Sequence, residues 1–159
     1  MNEVHVVLPN DIDDPSAPSG GNCYDRQICR GLADLGWSVR EHPVAGAWPR
    51  PTAVEQLGLA EVLAGLPRNA LVLLDGLVAS SVPDVLVGAA GRLRQVVLVH
   101  MPLGDEAPDM RCPGEGEALR AAVAVVTTSA WAPAARSSIG PTRRRCPSPR
   151  AASTASYRA

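Results

Sequence analysis

Five short apolar runs, separated by segments with helical spacing, constrain the fold of this 159-residue chain more than any other feature. Most of the runs are rich in Val and Leu, which is typical of strands buried on both faces of a sheet. We predict strands at residues 4–8, 37–42, 70–76, 95–102 and 123–129. Strands that alternate with helices need crossover connections, so the sequence predicts an α/β fold: a doubly wound parallel sheet with helices on both faces.

Local signals predict where the intervening helices begin and end. Asn22 is predicted to cap the first helix, and Gly36 to end it in the left-handed conformation. Thr52 is predicted to cap the second helix, and Pro83 to lie in the first turn of the third. A fourth helix is predicted at residues 115–122, directly before the last strand.

The first helix also carries an apolar stripe that predicts its inner face. Tyr24, Ile28, Leu32 and Leu35 recur at helical spacing. Asp25 falls outside this stripe, so it is predicted to face away from the sheet.

Composition divides the chain after residue 131. Residues 1–131 hold all 16 acidic residues and nine of the 15 arginines, whereas residues 132–159 hold six arginines and no acid. Ile139 is the one aliphatic side chain larger than Ala in this second segment, which is too little apolar surface to offset the entropy of ordering it. We therefore predict one domain over residues 1–131 and a disordered tail over residues 132–159. The tail's Arg, Ala, Pro and Ser content also suits a GC-rich gene read out of frame.

Composition further bears on partners and location. No apolar stretch reaches the roughly 20 residues of a membrane helix, and the N-terminus lacks the basic segment of a signal peptide. We predict a cytoplasmic protein without a transmembrane segment, and leave peripheral membrane contact open. Arg143, Arg144 and Arg145 have no interleaved aromatic residues, which argues against a nucleic-acid partner. The four cysteines form no Cys-x-x-Cys pair, which predicts reduced thiols and no metal site.

Glycine and polar residues gather where the predicted strands end. Gly20 and Gly21 precede the first helix, where backbone N–H groups and the helix dipole favour a phosphate. The dinucleotide fingerprint Gly-x-Gly-x-x-Gly is not present, which disfavours a dehydrogenase. Ligands of open parallel sheets bind beyond the carboxyl ends of the strands. The candidate residues at this edge are Gly20, Gly21, Asn22, Asp75, Gly76, His100, Thr127, Thr128 and Ser129.

Several of these residues have a plainer structural interpretation. His100 either contacts a substrate or is a strand-end histidine bonded to a neighbouring loop. Asp75 either holds an acceptor hydroxyl or caps the next helix, and both are ordinary uses of Asp at a strand end. His5 and His42 are predicted to be structural, and Trp37 is predicted to pack rather than to bind sugar.

The segment PSGGNCYDRQICRGLADLGWSV, residues 18–39, resembles the first loop and helix of family 4 glycosyltransferases. These are retaining sugar-nucleotide enzymes of GT-B fold. Three later segments are similar in order and character: LVLLDGLVAS, VVLVHMPLG and EGEALRAAVAVVTTSAW. The resemblance covers roughly residues 2–131 and looks closest to actinobacterial members. It implies that the chain is the N-terminal, Rossmann-like, acceptor-side half of a two-domain enzyme.

The resemblance also implies a reaction and roles for the candidate residues. The reaction is the retaining transfer of a hexosyl group from a nucleotide sugar to a hydroxyl acceptor, with no cofactor and no metal. His100 would be the catalytic residue near the transferred sugar. The loop facing the donor diphosphate would comprise Gly20, Gly21 and Asn22, and the cleft lining would comprise Asp75, Gly76, Thr127, Thr128 and Ser129.

The tail departs from the pattern of this family. Family members continue with a second domain that carries a Lys or Arg for the diphosphate and a Glu-x7-Glu motif, and nothing in residues 132–159 resembles either. Retaining transfer needs pre-positioned charge at the leaving phosphate. Two hypotheses stay open: a truncated acceptor-side half of a transferase, or a non-catalytic remnant that binds a sugar or phosphate weakly.

Overall fold

A computed structural model describes residues 2–16, 19–103, 114–128 and 155–157. The strands are β1 (Glu3–Pro9), β2 (Ser38–Val44), β3 (Leu71–Asp75), β4 (Arg94–Val99), β5 (Ala124–Thr127) and β6 (Ala155–Tyr157). The helices are α1 (Gly20–Asp34), α2 (Ala53–Gly65), α3 (Gly76–Ser81), α4 (Pro83–Ala90) and α5 (Glu115–Ala121).

The sheet has the strand order β2-β1-β3-β4-β5-β6, and its first five strands are parallel. This confirms the predicted parallel α/β sheet. Because β1 lies between β2 and β3, the chain reverses its direction of travel across the sheet at β1. The crevice at such a switch point, outside the carboxyl ends of the strands, is where open α/β sheets bind ligands.

Helices cover both faces of the sheet, as right-handed crossovers in opposite directions require. On one face α1 packs through Cys29 and Leu32 against Val4, Val6 and Leu8 of β1. The opposite face holds the larger core, formed mainly by the strands and the four helices α2 to α5. Its fully buried members include Val7, Leu59, Leu63, Val72, Leu74, Val78, Leu86 and Val97.

Three predicted helix boundaries are confirmed, among them Pro83 in the first turn of α4, and one is wrong. Thr52 caps α2 in a capping box with Glu55, and Gly36 has a φ of 82°, the left-handed conformation that ends α1. Asn22 is not a cap. Ser19 caps α1, and its Oγ accepts a bond from Asn22 N at 3.5 Å, so the helix includes Gly20. Ser19, three residues before Asn22, already accepts the hydrogen bond of a first-turn N–H group. The helix therefore begins at Gly20, and both glycines adopt helical geometry.

The helix α3 was not predicted, because its six residues are too short to show a helical period. Its cap explains why it forms directly after β3. Asp75 Oδ1 accepts a hydrogen bond of 2.9 Å from Val78 N. The side chain that ends the strand therefore also begins the helix.

The prediction of an unstructured tail is wrong for three residues. Ala155–Tyr157 pair with β5 in antiparallel register, with Val125 opposite Tyr157. An edge strand offers unpaired backbone N–H and C=O groups, so this pairing needs no large apolar side chains. Residues 132–154 and 158–159 lie outside the described residues.

Two further expectations are tested by the described part of the chain. No helix in it is long and apolar enough to span a membrane. The prediction of reduced thiols is wrong at Cys23, which is disulfide-bonded, whereas Cys29 is free and buried. The spacing of cysteines reveals pairs that could bind a metal, such as Cys-x-x-Cys. It does not reveal a disulfide between residues that are far apart in the sequence.

The capping box of α2 gives a direct test of the fold. We expect Thr52→Ala to lower the free energy of unfolding by about 1 kcal/mol, because Glu55 N loses its acceptor. Thr52→Ser keeps the hydroxyl and is the matched control, with a smaller loss. Urea unfolding followed by circular dichroism measures both, and equal stability of the two variants would contradict the role of the cap.

Candidate functional site

Three side chains from distant parts of the sequence meet at the carboxyl edge of the sheet. Asp25 lies on α1, Asp75 ends β3 and His100 follows β4. The His100 Nε2 atom is 2.8 Å from Asp25 Oδ1 and 3.6 Å from Asp75 Oδ2. Asp25 and Asp75 are buried, with exposed fractions of 2% and 4%, and the imidazole is mostly buried. We refer to these three residues as the carboxylate–histidine cluster.

The prediction that Asp25 faces away from the sheet is wrong, because Asp25 lies on the buried face of α1. The buried stripe of the helix runs through Asp25 and Cys29, while Leu35 is 79% exposed. Hydrophobic periodicity assigned the polar Asp to the solvent side, since an unpaired carboxylate is costly to bury. The signal that would have found it is Cys29, a commonly buried residue type one helical turn after Asp25.

The two carboxyl groups are electrostatically coupled. Burial raises the pKa of Asp75 to about 7, and the charge of Asp25 adds to this increase, while the Val78 N–H group and His100 act in the opposite direction. Asp25 Oδ2 is buried without a hydrogen-bond donor among the described residues. Asp75 therefore keeps its proton to a higher pH than an isolated carboxyl group would.

The hydrogen bond to Asp25 fixes the imidazole of His100. When Asp25 is ionised its oxygens only accept hydrogen bonds, and this contact then requires the imidazole proton to be on Nε2. Tyr24 packs edge-on against the same ring, with centroids 5.5 Å apart and planes at 71°. Burial, followed by the charge of Asp25, raises the pKa of Tyr24, which keeps its hydroxyl protonated. The ring of His100 is thus held by polar and aromatic contacts from one helix.

The predicted site glycines differ in what surrounds them. A Cβ at Gly21 would lie 3.1 Å from His100 Cδ2, so the absence of a side chain lets α1 approach the ring. A Cβ at Gly20 would meet nothing within 4 Å. Gly76 is buried, and a Cβ there would lie 2.7 Å from Leu98 O, so this glycine permits close packing of α3 on β4. Gly21 contacts the cluster directly, whereas Gly76 supports it through packing.

The remaining predicted residues lie at varied distances from the cluster. Thr128 Oγ1 donates to His100 O at 3.4 Å. Thr127 is buried, and its Oγ1 has no partner among the described residues. Asn22 lies in the first turn of α1. Ser129 falls outside the described residues, so its predicted place in the cleft is untested.

Asp75 serves the plainer of its two predicted roles, since its Oδ1 caps α3. Its Oδ2 faces His100, and contact with an acceptor hydroxyl stays a prediction. The cluster could also ligate a divalent cation, because one ligand atom from each residue lies within 4.8 Å of the others. The direct hydrogen bond between His100 and Asp25 accounts for the arrangement without an ion.

The fold and the cluster together define a Rossmann-like α/β domain with a buried polar site at its switch point. No family model matches the chain, and neither the curated proteins nor the solved structures searched gave a match.

The contact between Gly21 and His100 can be tested with a matched pair of variants. We expect Gly21→Ala to displace the imidazole by a few tenths of an ångström and to shift its NMR resonances, because its Cβ would meet the ring at 3.1 Å. Gly20→Ala places the same methyl group in open space and should leave those resonances unchanged. Both variants change the same helical turn, so a shared effect of helix propensity cancels between them. Identical His100 resonances in the two variants would disprove the contact.

The raised pKa of Asp75 predicts a specific dependence of stability on pH. The folded chain holds this proton more tightly than the unfolded chain, so the group's stabilising contribution is lost as pH rises from 3.8 to about 7. Asp75→Asn keeps the capping oxygen and removes the titration. We expect the free energy of unfolding of Asp75→Asn, minus that of the parent, to rise with pH in this window. The rise should be up to about 1.4 kcal/mol per pH unit.

Urea unfolding of both proteins at several pH values between about 4 and 8 measures this difference. Above about pH 8 the difference should be constant, since Asp75 is then ionised in both states. A difference that does not change with pH would contradict the raised pKa of Asp75.

Proposed function

We propose that this chain is the acceptor-side half of a retaining glycosyltransferase, which transfers a sugar from a nucleotide donor to a hydroxyl acceptor. The observation that carries the proposal is the imidazole of His100, fixed by Asp25 and adjacent to Gly21 at the switch point. The sequence resemblance to family 4 glycosyltransferases supports it independently. Both Gly21 and His100 lie in the segments that carry this resemblance.

The local geometry suits the two polar partners that such a reaction needs. Gly20 and Gly21 lie in the first turn of α1, whose backbone N–H groups have no partner within the helix. These groups and the helix dipole favour the diphosphate of a donor. His100 lies beside them and provides a fixed hydrogen-bonding group for a sugar hydroxyl, which favours a reactive orientation.

The two carboxyl groups would act through His100. Asp25 accepts from Nε2, which sets the orientation of the ring and its protonated nitrogen. Asp75 holds a proton up to a pKa of about 7, which limits the negative charge buried beside the ring. In this proposal Asp25 is a positioning residue, and His100 is the residue that touches substrate. A facing domain would supply the charge that stabilises the leaving phosphate.

The first test measures binding at His100 directly. The chain is prepared with isotope-labelled histidine and titrated with UDP-glucose, GDP-mannose and methyl glucoside. We expect the His100 signals to shift to saturation with at least one probe, while those of His42, on β2, stay unchanged. A His100→Ala variant should weaken that binding by about tenfold, as expected for a hydrogen bond of about 1.4 kcal/mol.

A second measurement separates a transferase from a binding module. Release of UDP or GDP is followed with the same donors and a mixture of sugar acceptors, with the full gene product as well as this chain. Turnover that is lost in His100→Ala supports the transferase, whereas saturable binding without turnover in either preparation supports the non-catalytic alternative. If no probe moves the His100 signals, the proposal fails.

A further inference from the structure

A cavity of about 310 Å³ opens at the edge of the sheet opposite the carboxylate–histidine cluster, where the parallel strands begin. It lies among the starts of β1, β3 and β4, the turn before β2 and the loop before β3. We refer to it as the amino-edge cavity. The side chains that matter here are Glu3, His5, Trp37, Arg68, Asn69 and Arg94.

Arg68 and Arg94 bring two positive charges to this cavity. Neither side chain forms a hydrogen bond or ion pair with another described residue. Arg92, only two positions before Arg94, shows the contrast, because its guanidinium donates to the carbonyls of Leu63 and Leu66 at the end of α2. Arg92 thus stabilises the end of α2, and Arg68 and Arg94 are not needed for that role.

The carboxylate at the cavity does not neutralise them. Among the described lining residues, Glu3 is the single acid. Its Oε2 is 3.2 Å from Arg40 Nε, and its Oε1 is 3.3 Å from His5 Nε2. His5 Nδ1 in turn lies 2.9 Å from His42 Nε2. With Glu3 already paired to Arg40, the charges of Arg68 and Arg94 stay uncompensated within the described part of the chain.

The other walls of the cavity add hydrogen-bond donors. Trp37 is half-buried, and its indole N–H has no acceptor among the described residues. Asn69 adopts the left-handed conformation with a φ of 63°, and its exposed side-chain amide is also unpaired within those residues. The cavity is therefore rich in donors, with an aromatic wall, and its one acid is engaged elsewhere.

We propose that the amino-edge cavity binds a small oxyanion ligand, a phosphate ester or a carboxylate, between Arg68 and Arg94. Guanidinium groups bind both anions through paired N–H donors. A volume of about 310 Å³ lies at the small end of ligand pockets, which suits a sugar phosphate or a tricarboxylate and not a dinucleotide. The site is separate from the carboxylate–histidine cluster, so it does not rest on the glycosyl-transfer proposal.

Calorimetric titration tests this site with glucose 6-phosphate, citrate and uncharged glucose at about 50 mM salt, where exposed charges are little screened. We expect saturable binding of an anion with a Kd of about 1 mM or tighter, and none of glucose. A response to glucose 6-phosphate alone identifies a phosphate site, and a response to citrate alone identifies a carboxylate site.

Variants locate the binding. Arg68→Gln and Arg94→Gln, combined, should weaken it by about tenfold or more, since charged hydrogen bonds contribute roughly 1.5–3 kcal/mol each. Arg30→Gln removes an exposed arginine of α1 outside the cavity and should change nothing. Both arginines are exposed, so the variant should stay folded, which thermal unfolding checks. Absence of saturable anion binding, or an equal loss in Arg30→Gln, would overturn the proposal.

Discussion

The pairing of β1 with both β2 and β3 is the constraint on which the rest of the domain depends. Val6, Val7 and Leu8 are almost fully buried, so each face of β1 contributes to a different core. Because the chain leaves β1 in one direction and returns on its other side, α1 and α2 cover opposite faces. The same reversal opens the crevice at the carboxyl edge, and Asp25 reaches it only because α1 crosses there.

Burial of two carboxyl groups at this crevice has an energetic cost that packing alone does not explain. In proteins generally, buried ion pairs can often be replaced by apolar residues of similar volume without loss of stability. Asp75 at least caps α3. Asp25 makes its described hydrogen bond to His100 alone, and its second oxygen is unsatisfied among those residues. Among the described residues, the hydrogen bond of Asp25 therefore serves to fix the imidazole of His100.

The sequence predicted what depends on local pattern. The strands were found because runs such as residues 4–8 must be buried on both faces of a parallel sheet, and Thr52 was found because a capping box is local. What it missed depends on tertiary contacts. Asp25 was placed outside because periodicity ranks a carboxylate as polar, whereas its partner His100 is 75 residues away. The pairing of β5 with Ala155–Tyr157 is a backbone interaction, which leaves almost no trace in side-chain composition.

The two edges of the sheet differ in charge, and the strands between them explain how both can persist in one small domain. Acidic groups concentrate at the carboxyl edge, where the partial positive charge of the α1 N-terminus offsets them. Arginines concentrate at the amino edge, around the start of β1. Val72 and Leu74 of β3, both fully buried, separate these regions with apolar side chains. The low-dielectric layer strengthens the local interactions at each edge, and no described polar contact links the two edges.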